Sequence, residues 1–574
     1  MSTHLRRENF PVTEREQLDK FIAEMEAQFA LSTGTAGAAR TTITRKTAKT
    51  VLASLEQIAT LPWANKQVDA ANMHEILGRM NEAGMKQWQA AWDAAFQPQR
   101  VCDYEESDHI PVSNGIPASA TAKLIALGLV EEVSDEKLRT QPTTGAGTGF
   151  FRIEEKLDEN GNIYTRVRFL FWTKRQNEAL KSSSSSFKID VHMHAPAQYV
   201  SAIEEEAVTT GDISSGFSHI EIPKSRRHLF RMQDADGNIV QLTRLPMGLV
   251  PSCQLMEVIT LALIGSPIVC KPQFVQKFVR LDGYVDDFRC AGSRARVRRW
   301  AAQVERNAAA MRITIKNKLV VSTTATYLGV CYDHEKKTVH ISDKTLSKLP
   351  DSFGTSCTAG MLQRSVARLI FCSGPLDINL GRFYFTMKHV TRMCNKMNSG
   401  AIDDETSVGV PSALRNSLNN WLRLARQPRT VAAQQQQRKR RTATLYTDAS
   451  LYGWGGFFIS SNGTVHIVGG KWRDAQQLVS SQISWLEARA VRYSFEALRE
   501  LVTEHEHIEL RIDNTSVMTA MQRGRGKAVA IHVEVIETIE WLRVHNISVD
   551  SRYIESSRNP ADAVSRGEHQ QQQH

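Results

Sequence analysis

Tyr284-Val285-Asp286-Asp287 sets two adjacent carboxylates between Lys277-Phe278-Val279-Arg280-Leu281 and Phe288-Arg289-Cys290-Ala291, a strand-turn-strand pattern. Neighbouring aspartates in a tight turn repel each other and add nothing to a core; a divalent cation makes them favourable. With a third carboxylate they can hold two Mg²⁺ ions about 4 Å apart, the arrangement that in-line phosphoryl transfer uses. Alone, the tetrapeptide reads as an exposed acidic turn. A second set of acids stands in the last third of the chain: Asp448, Glu487, Asp513 and Asp562. Any one of them, taken singly, reads as surface.

The neighbours of the aspartate pair change its meaning. Upstream lies Asp212-Ile213-Ser214-Ser215-Gly216-Phe217, and between them Leu245-Pro246-Met247-Gly248-Leu249-Val250-Pro251-Ser252. Downstream follow Lys316-Asn317-Lys318 and Tyr327-Leu328-Gly329. This ordered set resembles the palm of reverse transcriptases: D-x-x-x-G-[FY], L-P-x-G-x-x-x-[SA], [YF]-x-D-D, then K and [FYW]-[LM]-G. The resemblance implies that Asp212 shares both metals with Asp286, that Asp287 supports them, and that Tyr284 lies near the primer end. Phe217 falls at the steric gate, where an aromatic ring excludes a 2′-OH, the group that distinguishes ribose from deoxyribose. Gly248 lets backbone approach the nascent base pair because it lacks a Cβ. Met247 can only pack there, and Lys318 is the lysine of the fourth motif.

Residues 168–177, Arg168-Phe169-Leu170-Phe171-Trp172-Thr173-Lys174-Arg175-Gln176-Asn177, resemble the fingers segment R-x-x-x-D-[YF]-R-x-L-N. Arg168 would bind the base and triphosphate of an incoming nucleotide through its planar fork. Trp172, Thr173, Lys174 and Gln176 depart from that pattern, with Lys174 in place of the second arginine. Before it, the runs 150–155 and 163–171 flank Asn160-Gly161, a strong hairpin signal.

The second set of acids sits in its own pattern. Residues 444–450 read as a strand ending in Asp448; 453–459 and 465–472 flank Asn462-Gly463 and complete a meander. An amphipathic helix follows, with Leu486, Ala490, Tyr493, Ala497 and Leu501 at helical spacing and Glu487 near its start. A strand at 508–512 ends in Asp513; a helix at 529–544, a strand at 547–553 and a short helix starting at Pro560 come next. This order resembles the RNase H fold, and Asp448, Glu487, Asp513 and Asp562 resemble its four metal-binding carboxylates. The family's mobile histidine has no counterpart just before Asp562; His545 is a distant candidate.

The resemblance spans about residues 145 to 567. It implies an α/β and α+β multidomain chain, a right-hand polymerase of fingers, palm and thumb followed by an RNase H-like domain. Its expected divisions are a helical N-terminal region at 1–100, fingers and palm at 101–340, thumb and connection at 341–427, a basic linker at 428–441, the nuclease at 442–567 and a disordered tail at 568–574. The implied activity is RNA-directed DNA synthesis with removal of the RNA strand of the hybrid, using two Mg²⁺ per site, with Mn²⁺ as an alternative. RNA template, DNA primer, RNA–DNA hybrid and dNTP are the implied partners. Gly453-Trp454-Gly455-Gly456, the 485–491 segment and Asn559 to Arg566 resemble tyrosine-recombinase (DIRS- or Ngaro-like) retroelements most, gypsy-type elements next. The alternative is a decayed or domesticated copy that binds nucleic acid without catalysis; all seven expected carboxylates being present speaks for activity.

Composition agrees. The 574 residues carry a net charge of +10, which suits a polyanionic partner whose phosphate contacts would be salt-dependent. The charge alone also fits an ordinary basic protein. Eight cysteines without a C-x-x-C pair read as reduced thiols in an intracellular setting, cytoplasm or nucleus. The N-terminus lacks a signal-peptide pattern, no apolar run has membrane-spanning length, and integration is expected to reside on another product.

Overall fold

The computed structural model describes residues 53–96, 116–140, 147–157, 163–173, 176, 177, 180, 196–431, 441–472 and 482–568. Lys174, the Asn160-Gly161 turn, the helical stripe expected at 18–29, the serine run 182–186, most of the basic linker and the tail from 569 lie outside the described residues.

Three large hydrophobic cores organise the chain. The first begins with short helices α1 (Leu55–Thr60), α2 (Met73–Arg79) and α3 (Glu82–Phe96). α1 opens on a capping box in which Ser54 and Gln57 satisfy each other's backbone N–H groups. These helices share one core with the elements that carry Asp212, so residues 53–96 are built into the first unit.

A small sheet, β1 (Val130–Glu132), β5 (Arg231–Gln233) and β6 (Ile239–Leu242), lies beside a long hairpin of β2 (Thr148–Leu157) and β3 (Ile163–Trp172). The hairpin is the one its flanking runs predict. On its odd-numbered face Phe151, Val167 and Phe169 are buried, although Ile163 near the tip is exposed, while Arg152 and Trp172 on the other face are exposed.

The centre of the first unit is a three-stranded antiparallel sheet of β4 (Ala207–Asp212), β8 (Asp287–Gly292) and β7 (Arg280–Tyr284). Helix α4 (Val250–Ile264) backs it; the run is apolar on nearly every side, which suits a helix packed all round. Pro251 starts α4 and Gly265, at φ 75°, stops it. Helix α5 (Arg294–Met311) packs its Val297–Trp300–Val304 stripe inward and leaves its arginines outside.

The second core joins the sheet of β9 (Thr324–Tyr327), β10 (Val330–Asp333) and β11 (Thr338–Ile341) to helices α6 (Ala359–Leu376), α7 (Tyr384–Asn398) and α8 (Ser412–Ala425). A two-stranded pair, β12 (Ser356–Thr358) with β13 (Ser407–Gly409), ties the start of α6 to the loop before α8. β14 (Arg429–Thr430), at the start of the expected linker, adds to β11.

The first two cores are coupled by Arg289. Its fully buried guanidinium pairs with Asp282 at 2.6 Å and donates to Tyr199 O, and the rings of Tyr199, Tyr327 and Tyr332 lie within 4.6 to 5.6 Å of it. A charge this deep persists only with a partner, and Asp282 supplies it.

The third core supports a five-stranded sheet in the order β17 (Val465–Lys471), β16 (Gly453–Ile459), β15 (Thr442–Ala449), β18 (His507–Ile512), β19 (Ser548–Tyr553). The first three strands are antiparallel neighbours, whereas β18 and β19 run parallel to β15. Helices α9 (Ile483–Ala497), α10 (Thr515–Arg523), α11 (Val529–Val544) and α12 (Asp562–Ser565) complete the unit. This mixed α/β, multidomain architecture and its element order are those expected from the sequence. One detail differs: α12 begins at Asp562, not at Pro560. The Asn559 side chain donates to Thr447 O and accepts from Ala561 N, which turns Asn559-Pro560-Ala561 into a lead-in before the helix.

Among the described residues no helix is long and apolar enough to cross a membrane.

Candidate active sites

The first site grows from strand register. β4 runs against β8 so that Asp212 stands directly opposite Asp287, while Asp286 occupies the tip of the β7–β8 hairpin. Tyr284 and Asp287 close a two-residue loop whose first central residue, Val285, has φ 55°. Loops of this length with a positive φ at that position normally carry glycine. A β-branched residue there stores about 1–3 kcal/mol of strain, which the surroundings must impose. They do so by two bonds: Thr260 Oγ1 donates to Val285 O, and Ile213 N donates to Asp286 O.

Burial, then the charge of Asp212, pushes both aspartates of the hairpin up; Asp287 reaches about 6. Carboxylates left this uncomfortable suit a divalent cation. Lys316 meets Asp212 instead, its Nζ 3.0 Å from Oδ2 at an exposed position. The sequence pattern pointed to Lys318; it is exposed, and Lys316 is the lysine of that motif that reaches a carboxylate.

The remaining residues of the first site surround this hairpin. Phe217 is half-buried in a 3-10 turn, Gly216–His219, and a Cβ on Gly216 would lie 3.3 Å from Asp286 Cβ. His219, which no motif singled out, anchors that turn: Nδ1 donates to Asp69 O and Nε2 accepts from Thr314 N. Met247 is 43 % exposed beside Gly248, whose φ of 96° demands glycine. Asn177 Nδ2 donates to Gly248 O and its Oδ1 accepts from Val250 N, fastening the end of the fingers segment to this loop. Arg168 is half-buried on β3, bonded to Glu154 at 2.8 Å, and its charge reaches Asp286. Tyr284 packs against the second core.

The second site is built on parallel strand ends. Thr447 pairs with Ile512 across β15 and β18, so Asp448 and Asp513 follow at equivalent positions beyond the ladder. Helix α9 brings Glu487 beneath them, and the donor atoms of the three carboxylates lie within 4.8 Å of one another. Among the described residues this is the one group of three metal-ligating side chains that converges so closely. Burial, above all, raises Glu487 to about 9 and Asp448 to about 6, with the neighbouring carboxylates adding to both. Glu487 Oε2 and Asp513 Oδ1 are buried without a hydrogen-bond partner. Orphaned acceptors beside raised acids fit a divalent cation, which would satisfy them together.

Two serines hold these carboxylates in place. Ser565 Oγ donates to Asp448 Oδ2 at 2.5 Å, and Ser556 Oγ to Asp513 Oδ2 at 2.6 Å. Ser565 reaches the site because α12 lies directly on β16: a Cβ at Gly455 would come within 2.7 Å of Ala561 O and 2.8 Å of Ser565 N. Asp562, on the same helix, stands apart from the trio and is held by Arg566 at 2.9 Å, although its charge still acts on Asp448 and Glu487. His545 caps α11, bonded to Trp541 O at 2.8 Å and packed on that ring, not on the carboxylates.

No family model and no curated protein matches this sequence. Among solved structures, the foamy viral protease-reverse transcriptase in complex with double-stranded DNA is similar at TM-score 0.41 and 13 % identity, over 91 % of this chain and 84 % of that one. The foamy viral protein in complex with RNA/DNA hybrid is similar at TM-score 0.40 and 11 % identity, over 82 % of this chain and 63 % of that one. Likeness at this level is too weak to transfer a function, so the chemistry must come from this chain's own residues.

Proposed function

We propose that this chain is an RNA-directed DNA polymerase with an RNase H activity, from a retroelement whose nearest relatives are the DIRS- or Ngaro-like elements. The observation that carries the proposal is the presence, in one chain, of two separate carboxylate sites on strand ends. Asp212 faces Asp287 in the first, and Asp448, Glu487 and Asp513 converge in the second. In the first site Asp212 and Asp286 would hold Mg²⁺ with Asp287 in support; in the second Asp448, Glu487 and Asp513 would hold it, Asp562 joining when Arg566 yields. Bound there, the ions would activate the attacking oxygen and stabilise the leaving one.

The protein's own groups perform the other tasks. Phe217 closes the space beside the sugar, Met247 and Gly248 set the fit of the nascent pair, Arg168 binds phosphate and Tyr284 supports the primer end. Ser565 and Ser556 fix the orientation of their carboxylates so that little reorganisation is needed when a cation arrives.

Primer extension on an RNA template with dNTP and Mg²⁺ tests the first activity. Wild type extends, and the double variant Asp286→Asn with Asp287→Asn does not; equal extension by both would refute the polymerase assignment. Cleavage of a labelled RNA–DNA hybrid tests the second. Asp448→Asn abolishes cleavage and spares extension, whereas loss of both would argue against independent sites.

A further inference from the structure

We propose that Glu154 is a positioning residue for the triphosphate of the incoming nucleotide, acting through Arg168. The inference rests on the reading of Arg168 given above and extends it to a residue outside every motif. Glu154 lies on β2, directly across the ladder from Arg166 and diagonal to Arg168. Its Oε2 accepts from Arg166 Nε and Nη2 at 3.1 and 3.0 Å, and its Oε1 accepts from Arg168 Nε at 2.8 Å. All three side chains are about four-fifths covered, between 20 % and 23 % exposed, so this is a partly desolvated pairing. Both arginines hold the Glu154 carboxyl below the usual range against the opposing effect of burial, which keeps it ionised.

The geometry of the bond to Arg168 matters more than its existence. Arg168 is held by Nε, the inner edge of the guanidinium, and among the described residues no hydrogen bond engages the outer fork of two terminal nitrogens, the edge that suits a phosphate. Thr173, the residue after β3, accepts through Oγ1 from Asn177 Nδ2 at 3.2 Å, and the same Nδ2 donates to the Gly248 carbonyl at 2.9 Å. The strand that carries the fork is thus linked through Thr173 and Asn177 to the loop expected to lie against the nascent pair. Without Glu154, two guanidiniums two residues apart on one strand face would repel each other, and Arg168 would regain its rotamer freedom.

Charge alone predicts the reverse. A carboxylate near a triphosphate site should oppose binding, so its removal would tighten binding if Glu154 acted only through space. The two mechanisms therefore differ in sign.

The test is steady-state extension by the full chain at varied dNTP, with primer–template affinity measured alongside. Glu154→Ala raises the KM for dNTP by about tenfold while kcat and primer–template affinity stay within about twofold. Glu154→Gln, which keeps an acceptor oxygen for Arg168 Nε, stays within about threefold of wild type in KM. Arg168→Ala raises KM at least as much as Glu154→Ala, and the double variant is no worse than Arg168→Ala alone, as expected of two residues acting in series. An unchanged or lowered KM in Glu154→Ala, or penalties that multiply in the double variant, overturns the proposal. An unchanged KM in Arg168→Ala refutes instead the reading of Arg168 on which it stands. Should Glu154→Ala fold poorly, Glu154→Gln decides: a KM raised as far as in Arg168→Ala, at an unchanged melting temperature, also overturns it.

Discussion

The two carboxylate sites solve one electrostatic problem in different ways. In the nuclease-like unit, Asp448 and Asp513 follow in-register parallel strands, Glu487 rises from a helix packed under them, and two serines pin their outer oxygens. Nothing in that arrangement depends on an unusual backbone. In the palm-like unit the acids ride on a hairpin tip with Val285 in a left-handed conformation, and Asp212 is occupied by a lysine. The trio is preassembled for a cation, with its cost expressed as raised acids and orphaned oxygens. The hairpin is a strained tip that stays in place only while its supports hold. Carboxylate clusters can therefore be prepared by the scaffold or by the clamps around them, and the two kinds should fail differently.

The sharpest way to expose that difference is to remove a clamp. Arg289 is fully buried on β8, within the hairpin and opposite Asp282, between the first two cores. Arg289→Ala leaves the buried Asp282 with the more distant Arg280, 3.6 Å away, as its remaining ion-pair partner, and should destabilise that region by about 3–5 kcal/mol. Extension should be lost while hybrid cleavage persists. Calorimetry together with both assays checks this; equal loss of cleavage would mean that the sites are not supported separately.

A smaller effect is expected where the third core meets the second. His532 on α11 lies against Tyr384 and Phe385 of α7, 5.5 and 5.0 Å between ring centres, and Arg543 pairs with Asp377 at 2.9 Å nearby. Burial pushes His532 down to about 4. A histidine lowered on folding contributes stability that is present above its unfolded value, near 6.5, and is lost as pH falls toward 4. The loss reaches about 3 kcal/mol at the acid end. Melting from pH 7 to 4 should show it in wild type, and His532→Gln should flatten the slope; an unchanged slope would place the acid sensitivity elsewhere. The rigid carboxylate trio should remain assembled after this contact loosens.

Much of this organisation could be read from the chain, for identifiable reasons. The β2–β3 hairpin, the meander of β15 to β17 and helices α9 and α11 all follow from periodicity and turn residues, which are local. The seven carboxylates stood out because each falls in a motif that resembles the reverse transcriptase palm or the RNase H fold; singly, each reads as surface. What escaped is non-local. Glu154 reaches Arg168 only through the register of β2 on β3, and Lys316 reaches Asp212 only through the pairing of residue 315 with residue 213. Ser565 was visible in the Asn559 to Arg566 signature, yet its bond to Asp448 requires α12 to rest on Gly455. Arg289 could not be anticipated at all, since an arginine after an aspartate pair reads as surface charge until the three tyrosines close over it. Short terminal elements also shift: Asn559 caps its own turn and delays α12 by two residues.

Cation binding in the absence of nucleic acid turns the contrast between the sites into a measurement. The trio that already converges should take Mg²⁺ roughly tenfold more tightly than the hairpin site, about 1.4 kcal/mol. Calorimetric titration of wild type, Asp448→Asn and Asp286→Asn separates the two; loss of the tighter phase in Asp286→Asn would reverse the assignment. The smallest effect should come from Lys316. Its pairing with Asp212 is solvent-exposed, 60 % and 35 % at the two side chains, so screening limits it to roughly 0.2–1 kcal/mol. Lys316→Ala should therefore strengthen Mg²⁺ binding at the hairpin by only about two- to threefold, because the lysine and the cation compete for one carboxylate. That gain should shrink in high salt and leave the tighter phase untouched. A gain at the trio, or a loss at the hairpin, would mean that Lys316 does not stand in for the cation and that the weakness of the palm-like site has another origin.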